Sequence, residues 1–373
     1  MKCDNLISVD IPSGLCSNTG RPFKGGAAFA SHTLTIGLLK QGLVQDSAIE
    51  HVGEIVRIDC GLTAQILSPF ISKPLTRISN SDLKTLVLPN PKIESNKYQR
   101  GRVLVIAGSQ KYKGAALLSL KGAIASGVGC IYASLPQLVG DNLWQVSPEI
   151  VLANCLHSDP NGESLLLDLL SNQELNNIDA LLIGPGLGGG VEENWDLVGE
   201  KLLNFMGLLV LDADAINRLS GSSKGWRWLK DRMGPTWLTP HLSEFNRLFP
   251  GLQDSSPVEA VKEASAISGT SIVLKGAHSL VSVPSGKSWQ VVGTFPHAAR
   301  FGFGDLLAGY AAGLGAIGLA SGNDLPEYLL ASACFLHAQA ARRCKKGSSA
   351  SAISKTLEKM TRKIQSKKEN IGT

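Results

Sequence analysis

An aspartate follows a glycine-rich turn in the C-terminal third of the chain, where an apolar run begins. The turn reads Arg300-Phe301-Gly302-Phe303-Gly304-Asp305 and continues into Leu306-Leu307-Ala308-Gly309. Backbone N–H groups at such a turn, with the positive end of a helix dipole, attract an anion. A carboxylate there can take the proton of a hydroxyl that attacks a phosphate, because phosphoryl transfer depends mainly on positioning and charge neutralisation. Asp305 is therefore the candidate catalytic base, although an ordinary helix N-cap uses the same residue type.

Other candidate site residues follow strand-like apolar runs. They are glycine, acidic or basic residues at the ends of those runs: Gly108, Gly186, Asp212, Asp214, His241, Lys275 and Gly276. Ligands of parallel α/β sheets bind beyond the carboxyl ends of the strands, so we expect these residues around one site. Each has a structural alternative taken alone. One of Asp212 and Asp214 could cap a helix, Glu244 could be the acid of a capping box, and Lys275 could simply reach water.

Strand-like and helix-like segments alternate through most of the chain. The runs at 102–107, 180–183, 208–212 and 271–275 are almost continuously apolar, and helix-like stretches such as 115–126 separate them. Apolar runs of this kind are typical of strands that are buried on both faces. The predicted fold class is α/β, with a mostly parallel central sheet and helices on both faces.

The N-terminal part of the chain differs from the rest. Three short strand-like pieces predict a small α/β unit over 1–62. Residues 63–95 lose periodicity and contain Pro69, Pro74, Pro89 and Pro91, which predicts a linker. The main domain is expected at 96–346, followed by a basic helix or tail at 347–373.

Composition excludes several classes of protein. Hydrophobic residues make up 43% of the chain and the net charge is only +5, which argues against disorder. The C-terminal lysines lack interleaved aromatic residues, so we predict no nucleic-acid partner. Seven scattered cysteines without a CxxC pair predict a reducing compartment. We see no signal peptide and no apolar stretch long enough to span a bilayer, and predict a cytoplasmic protein with no membrane partner. The Gly/Ala-rich stretch 306–321 leaves a homo-oligomer open.

Six collinear motifs resemble the NAD(P)H-hydrate dehydratase family, which has a ribokinase-like fold. They are RVLVIAGS with GAALL (102–118), IGPGLG (183–188), LDADAIN (211–217), TPHLSEF (239–245), LKGAHSLV (274–281) and GFGDLLAGYAAGL (302–314). The segments at 8–15, 33–37 and 52–55 are similar to the closing third of an NAD(P)H-hydrate epimerase domain. The resemblance implies that 1–62 is the C-terminal remnant of such a domain, without epimerase activity.

The resemblance implies a metabolite-repair enzyme that dehydrates the hydrate of NADH or NADPH, with ADP or ATP as co-substrate and Mg²⁺ accompanying the nucleotide. Asp305 would assist phosphorylation of the ring hydroxyl, and phosphate would then be eliminated. The implied nucleotide contacts are Lys275, Gly276, Ala277, His278, Ser279, Gly302 and Gly304. The implied substrate contacts are Ala115, Gly186, Asp214, His241 and Asp305. Ser13 is implied as a potassium ligand of the remnant.

Two phenylalanines depart from the family turn, which reads Gly-Gly-Ser/Thr-Gly-Asp. At Phe301 and Phe303 we expect a phenylalanine at positive φ, at a cost of about 1–2 kcal/mol, with its ring near the phosphates.

Two alternative functions stay open: a ribokinase-like kinase for a small molecule such as a vitamin precursor, and a non-catalytic nucleotide-binding remnant.

Overall fold

Two separate sheets organise the computed structural model, which describes residues 5–70, 75–91, 94–189, 193–291, 297, 299–322 and 325–366. The strands are β1 (Ile7–Val9), β2 (His32–Ile36), β3 (Glu54–Ile58), β4 (Leu75–Ile78), β5 (Arg102–Ile106), β6 (Cys130–Pro136), β7 (Val151–Leu156), β8 (Ala180–Ile183), β9 (Leu208–Leu211), β10 (Thr236–Leu238), β11 (Ser271–Leu274), β12 (Leu280–Ser282) and β13 (Ser288–Val291). The first three form a small parallel sheet, and the other ten form the central sheet.

The central sheet is parallel except at β12. Its strand order is β4-β13-β12-β11-β10-β9-β8-β5-β6-β7, and only the two pairs that include β12 are antiparallel among its described ladders. From β5 the chain builds outward through β6 and β7, then crosses back to β8 and continues through β9, β10 and β11. The strand order therefore reverses between β5 and β8, where open α/β sheets have a crevice for ligands.

Helices cover both faces of the central sheet, as predicted. They are α1 (Ile49–Val52), α2 (Ala64–Leu67), α3 (Lys113–Ser126), α4 (Gln137–Asp141), α5 (Leu143–Val146), α6 (Leu167–Asn172), α7 (Trp195–Leu202), α8 (Asp214–Ser220), α9 (Trp228–Asp231), α10 (Leu242–Leu248), α11 (Pro257–Ser268), α12 (Phe303–Ala320), α13 (Leu329–Arg343) and α14 (Ala350–Ser366). In β5, Val103 and Val105 face α3 and α12 to α14, whereas Leu104 and Ile106 belong to the core on the opposite face. The alternation buries every residue of this strand's apolar run on one face or the other.

Helix α12 packs very closely against α3 because glycines form the contact. A Cβ at Gly309 would lie 1.8 Å from the backbone oxygen of Ser119, and one at Gly122 would lie 2.2 Å from that of Leu306. Within the described part of the chain, α12 is long and apolar enough to cross a membrane by length and composition, although Asp305 interrupts its apolar run. Most of this helix is buried inside the protein, as in a core helix.

Two boundary predictions differ from the structure. The expected linker at 63–95 contains β4, which pairs in parallel with β13 and forms the edge of the central sheet. The expected tail beyond 346 contains α14, whose buried Ile353, Leu357 and Met360 belong to the core around α12. The folded domain therefore includes segments on both sides of the predicted range 96–346.

The N-terminal unit has its own small core and is joined to the central sheet. Leu15, Leu43, Ala48 and Val52 form that core. The buried Gln290 Nε2 of β13 donates a hydrogen bond to the Val44 carbonyl over 2.7 Å. This bond fixes the segment just before α1 against β13, next to the edge strand of the central sheet.

Candidate active site

The loops that follow β5 and β8 meet where the strand order reverses. The Gly108 amide donates to the Pro185 carbonyl over 2.8 Å. Gly186 has a φ of 68°, and a Cβ on it would lie 2.7 Å from the Cβ of Ala115 at the start of α3. Two of the predicted substrate residues, Ala115 and Gly186, are thus direct neighbours.

A buried arginine holds the glycine loop after β8. The Arg218 guanidinium donates to the carbonyls of Gly188, Leu187 and Ser164 over 2.7–3.1 Å. It also lies 3.4 Å from the Glu193 carboxylate, and burial lowers its pKa. Arg218 was not predicted as a site residue, although it stands one helical turn after Asp214.

Asp214 supports the same loop. Its Oδ2 accepts a hydrogen bond from the Gly188 amide over 2.8 Å, and burial raises its pKa. The predicted substrate residue therefore already has a partner in the protein and orients the loop that carries Gly186.

A strained residue separates Asp214 from Asp212. Ala213 has φ 48° and ψ −117°, a conformation that costs a non-glycine residue about 1–3 kcal/mol. The turn directs Asp212 into the protein, where its Oδ1 accepts hydrogen bonds from Thr239 Oγ1 over 2.8 Å and Lys275 Nζ over 2.7 Å. Its Oδ2 is buried and has no hydrogen-bond partner among the described residues.

Lys275 supplies a buried positive charge next to Asp212. Burial alone would lower its pKa, but the carboxylates of Asp212 and Glu244 outweigh burial and raise it, so Lys275 remains charged. A Cβ on Gly304 would lie 3.3 Å from Lys275 Nζ, which places the ammonium beside the first turn of α12.

His241 caps helix α10 next to Lys275. Its Nδ1 accepts hydrogen bonds from the Ser243 and Glu244 amides over 3.2 and 3.3 Å, and its Nε2 lies 3.1 Å from Glu244 Oε1. Burial and the nearby Lys275 lower its pKa. A neutral ring with the proton on Nε2 satisfies all three contacts, so the candidate substrate residue also shapes this helix start.

Asp305 lies at the third position of α12, directly after Gly304, whose position adjoins the Lys275 ammonium. Burial is the main reason that its pKa rises to about 7, the Asp212 carboxylate adds to the rise, and Lys275 opposes it. A general base works best when its pKa is near the working pH. A pKa near 7 therefore suits Asp305 to accept a proton.

The expectation of a phenylalanine at positive φ was wrong. Gly302 takes that conformation at φ 82°, and the described non-glycine residues with positive φ are Asp10 and Ala213. Phe301 projects into solvent. The Phe303 ring stacks on His337 with 3.7 Å between centroids, so it packs against α13.

A cavity of about 670 Å³ opens beside this first turn of α12. Five of the predicted nucleotide residues line it, namely Lys275, Gly276, Ala277, Ser279 and Gly304, together with His241, Phe303 and Arg300. Asp305 directly follows the lining residue Gly304. His278 and Gly302 are not among the lining residues, and sequence reasoning missed Ile49, which reaches the cavity from the N-terminal unit.

The predicted potassium ligand lies elsewhere. The Ser13 carbonyl accepts a hydrogen bond from the Ala28 amide over 2.9 Å, within the N-terminal unit. Across the described residues, no group of three or more His, Cys, Asp or Glu side chains is arranged to hold a metal ion. The potassium role of Ser13 stays a prediction.

The fold and site together define a ribokinase-like α/β protein. A ribokinase-like superfamily protein from Enterococcus faecalis aligns with a TM-score of 0.64 over 78% of this chain and 97% of its own, at 24% identity. The ADP/ATP-dependent NAD(P)H-hydrate dehydratase from Bacillus subtilis, co-crystallized with ATP/Mg²⁺, aligns with a TM-score of 0.62 over 79% of this chain and 99% of its own, at 26% identity.

The chain belongs to the NAD(P)H-hydrate dehydratase family, whose profile matches residues 103–364. Bifunctional NAD(P)H-hydrate repair enzymes from Gloeobacter violaceus and Synechocystis sp. are 38% and 34% identical to it over 338 residues. The match covers 90% of this chain but 64% and 62% of those relatives, so the chain spans just under two thirds of their length. The family resemblance and the ribokinase-like fold predicted from the sequence are confirmed.

Proposed function

We propose that this protein dehydrates the hydrate of NADH or NADPH at the expense of ADP or ATP. The observation that carries the proposal is the setting of Asp305, a carboxylate with a pKa of about 7 that adjoins Lys275 at the edge of a cavity of about 670 Å³. Family membership favours this reaction over phosphorylation of another small alcohol.

The chemistry replaces a poor leaving group by a good one. Asp305 accepts the proton of the ring hydroxyl while that oxygen attacks the terminal phosphorus, and the bond from phosphorus to the nucleotide's bridging oxygen breaks. The electron pair of the ring nitrogen then expels phosphate. Loss of a proton from the adjacent carbon restores the ring double bond, so the products are NAD(P)H, phosphate and the shortened nucleotide.

The start of α12 and Lys275 stabilise the charge that develops on the transferred group. The amides of Gly304 and Asp305 are in the first turn, where a helix leaves N–H groups without internal partners. The flanking amides bond back to the preceding turn: Phe303 donates to the Arg300 carbonyl over 3.3 Å, and Leu306 donates to the Gly302 carbonyl over 3.1 Å. Two amides and an ammonium at one helix start are suited to a phosphoryl group.

Mg²⁺ would arrive with the nucleotide. This ion usually binds through one or two carboxylates plus phosphate oxygens and water, so it needs no larger protein cluster. The Oδ2 of Asp212, which has no hydrogen-bond partner among the described residues, is the carboxylate oxygen next to Lys275 that could bind such an ion, which leaves Asp305 free to act as the base. When bound, the ion would neutralise phosphate charge.

The test is recovery of NADH absorbance when the purified protein is incubated with NADH hydrate, Mg²⁺ and either ADP or ATP. We expect stoichiometric release of phosphate with NADH, and none without nucleotide. A folded protein that binds nucleotide but recovers no NADH would contradict the proposal. Turnover only with a different alcohol would favour a kinase instead.

A further inference from the structure

Asp46 of the N-terminal unit contacts the loop between β11 and β12. Its Oδ2 accepts a hydrogen bond from the Ala277 amide and its Oδ1 one from the His278 amide, each over 2.8 Å. The His278 Nδ1 lies 3.4 Å from the same Oδ1. Burial would raise the pKa of Asp46, but the contacts with the side chain and amide of His278 and with the Ala277 amide outweigh burial and lower the pKa.

The loop that was predicted to bind nucleotide has no spare amide at three consecutive positions. The Gly276 amide donates to Ser279 Oγ over 3.3 Å, and the next two amides donate to Asp46. These N–H groups are therefore engaged in shaping the loop, and phosphate contacts fall to Lys275 and the start of α12.

Asp46 lies so close to the backbone of residue 276 that only glycine fits at that position. A Cβ on Gly276 would lie 2.3 Å from Asp46 Oδ2, and no other atom comes within 3 Å of that position. Gly276 has no positive φ, so the carboxylate rather than the backbone conformation excludes a side chain there.

Asp46 supports the cavity from behind. Ile49, three residues further on, lines the cavity with Ala277, whereas Asp46 is not among the lining residues. A carboxylate that occupied the phosphate position would face the cavity. The bond from Gln290 to the Val44 carbonyl holds the same segment in place.

We propose that Asp46 is a positioning residue of the nucleotide site, and that its segment of the N-terminal unit contributes Ile49 to the wall of that site. The inference rests on the proposed function for the identity of the ligand. It assigns the N-terminal unit a role in nucleotide binding that is independent of epimerase chemistry.

The test compares Asp46→Asn with Glu50→Gln, which removes an exposed charge from the same segment. The asparagine amide keeps one oxygen that can accept a hydrogen bond from one of the two backbone N–H groups. Its NH₂ group faces the other N–H, and two donors cannot form a hydrogen bond. We expect the Kd for ADP or ATP, measured by calorimetry, and the KM for the nucleotide to rise about tenfold. The kcat and the KM for NADH hydrate should stay at wild-type values, as should all constants of Glu50→Gln.

Gly276→Ala provides a second variant that displaces Asp46 without changing charge. It should weaken nucleotide binding like Asp46→Asn, and it should add little in an Asp46→Ala background, because both changes break one contact. Wild-type nucleotide affinity in a folded Asp46→Asn or Gly276→Ala variant would overturn the inference. Tighter binding would also overturn it, since Asp46 would then be a competitor.

Calorimetry separates this inference from the proposed function. Wild-type protein that binds ADP or ATP without recovering NADH refutes only the proposed reaction, and the comparison of Kd values still decides the role of Asp46. Thermal unfolding of each variant establishes that a changed affinity does not arise from a lost fold.

Discussion

Replacing the Asp305 carboxylate by an amide should make the folded protein more stable and the enzyme inactive. The site raises the pKa of this carboxyl from 3.8 to about 7, chiefly by burial, so the folded state is penalised for its charge at alkaline pH. One pKa unit corresponds to about 1.4 kcal/mol, which sets an upper value of about 4 kcal/mol for the shift. Because the carboxylate keeps some contact with water, we expect Asp305→Asn to gain about 2–4 kcal/mol near pH 8.

The gain has a defined pH window. The unfolded chain releases the Asp305 proton near 3.8, whereas the folded protein keeps it up to about 7. Wild-type stability therefore contains a contribution that is complete below the unfolded pKa and is lost as the pH rises to the folded pKa. The amide does not titrate, so the advantage of the variant should be largest near pH 8 and small near pH 4.

Urea unfolding of both proteins at several pH values measures this difference, and NADH recovery measures activity. Loss of a general base should lower kcat by about 10²- to 10⁴-fold. In the wild type, kcat/KM should rise with pH up to about 7 and then level off, because only ionised Asp305 accepts the proton. Equal stability of the two proteins near pH 8, or full turnover by the variant, would refute the reasoning.

Three further substitutions test the supporting structure. Lys275→Met leaves the buried Asp212 carboxylate unpaired, so the free energy of unfolding should fall by about 3–5 kcal/mol in urea titrations; an unchanged value would mean that water replaces the ammonium. Arg218→Lys keeps the charge but loses most of the guanidinium's hydrogen bonds, so we expect a loss of about 2–3 kcal/mol and a higher KM for NADH hydrate with unchanged KM for nucleotide. Gly309→Ala should lower the Tm because its Cβ would lie 1.8 Å from a backbone oxygen of α3, whereas Gly251→Ala, with open space around it, should not; similar Tm values for the two would contradict the packing argument.

The central strands could be predicted because their sequences are almost continuously apolar. The run from Val103 to Ile106 is buried by helices on both faces, and so is Ala180–Ile183. The edge strand Leu75–Ile78 could not be predicted in this way. It mixes polar and apolar residues, it follows a proline-rich segment, and its only described sheet neighbour is β13, more than 200 residues later.

Site residues could be predicted where their position in the sequence, directly after a strand, determines where they lie in the fold. Strand-end residues such as Lys275 and Asp212 do meet at one edge of the sheet. Arg218 and Asp46 were missed because their roles depend on which distant loop lies next to them. The expectation for Phe303 was wrong because Gly302 absorbs the left-handed turn and leaves the next residue helical.

The strained backbone at Ala213 affects both the stability of the fold and the orientation of the Asp212 and Asp214 carboxylates. Glycine adopts φ 48° without the steric penalty that an alanine methyl group incurs. An Ala213→Gly substitution would therefore relieve this strain and stabilise the fold. The same substitution would also give the backbone more freedom between two carboxylates. Asp212 pairs with the buried ammonium of Lys275, and Asp214 holds the loop after β8. A substitution chosen for thermal stability alone would therefore loosen the positions of both carboxylates and make the site less precise.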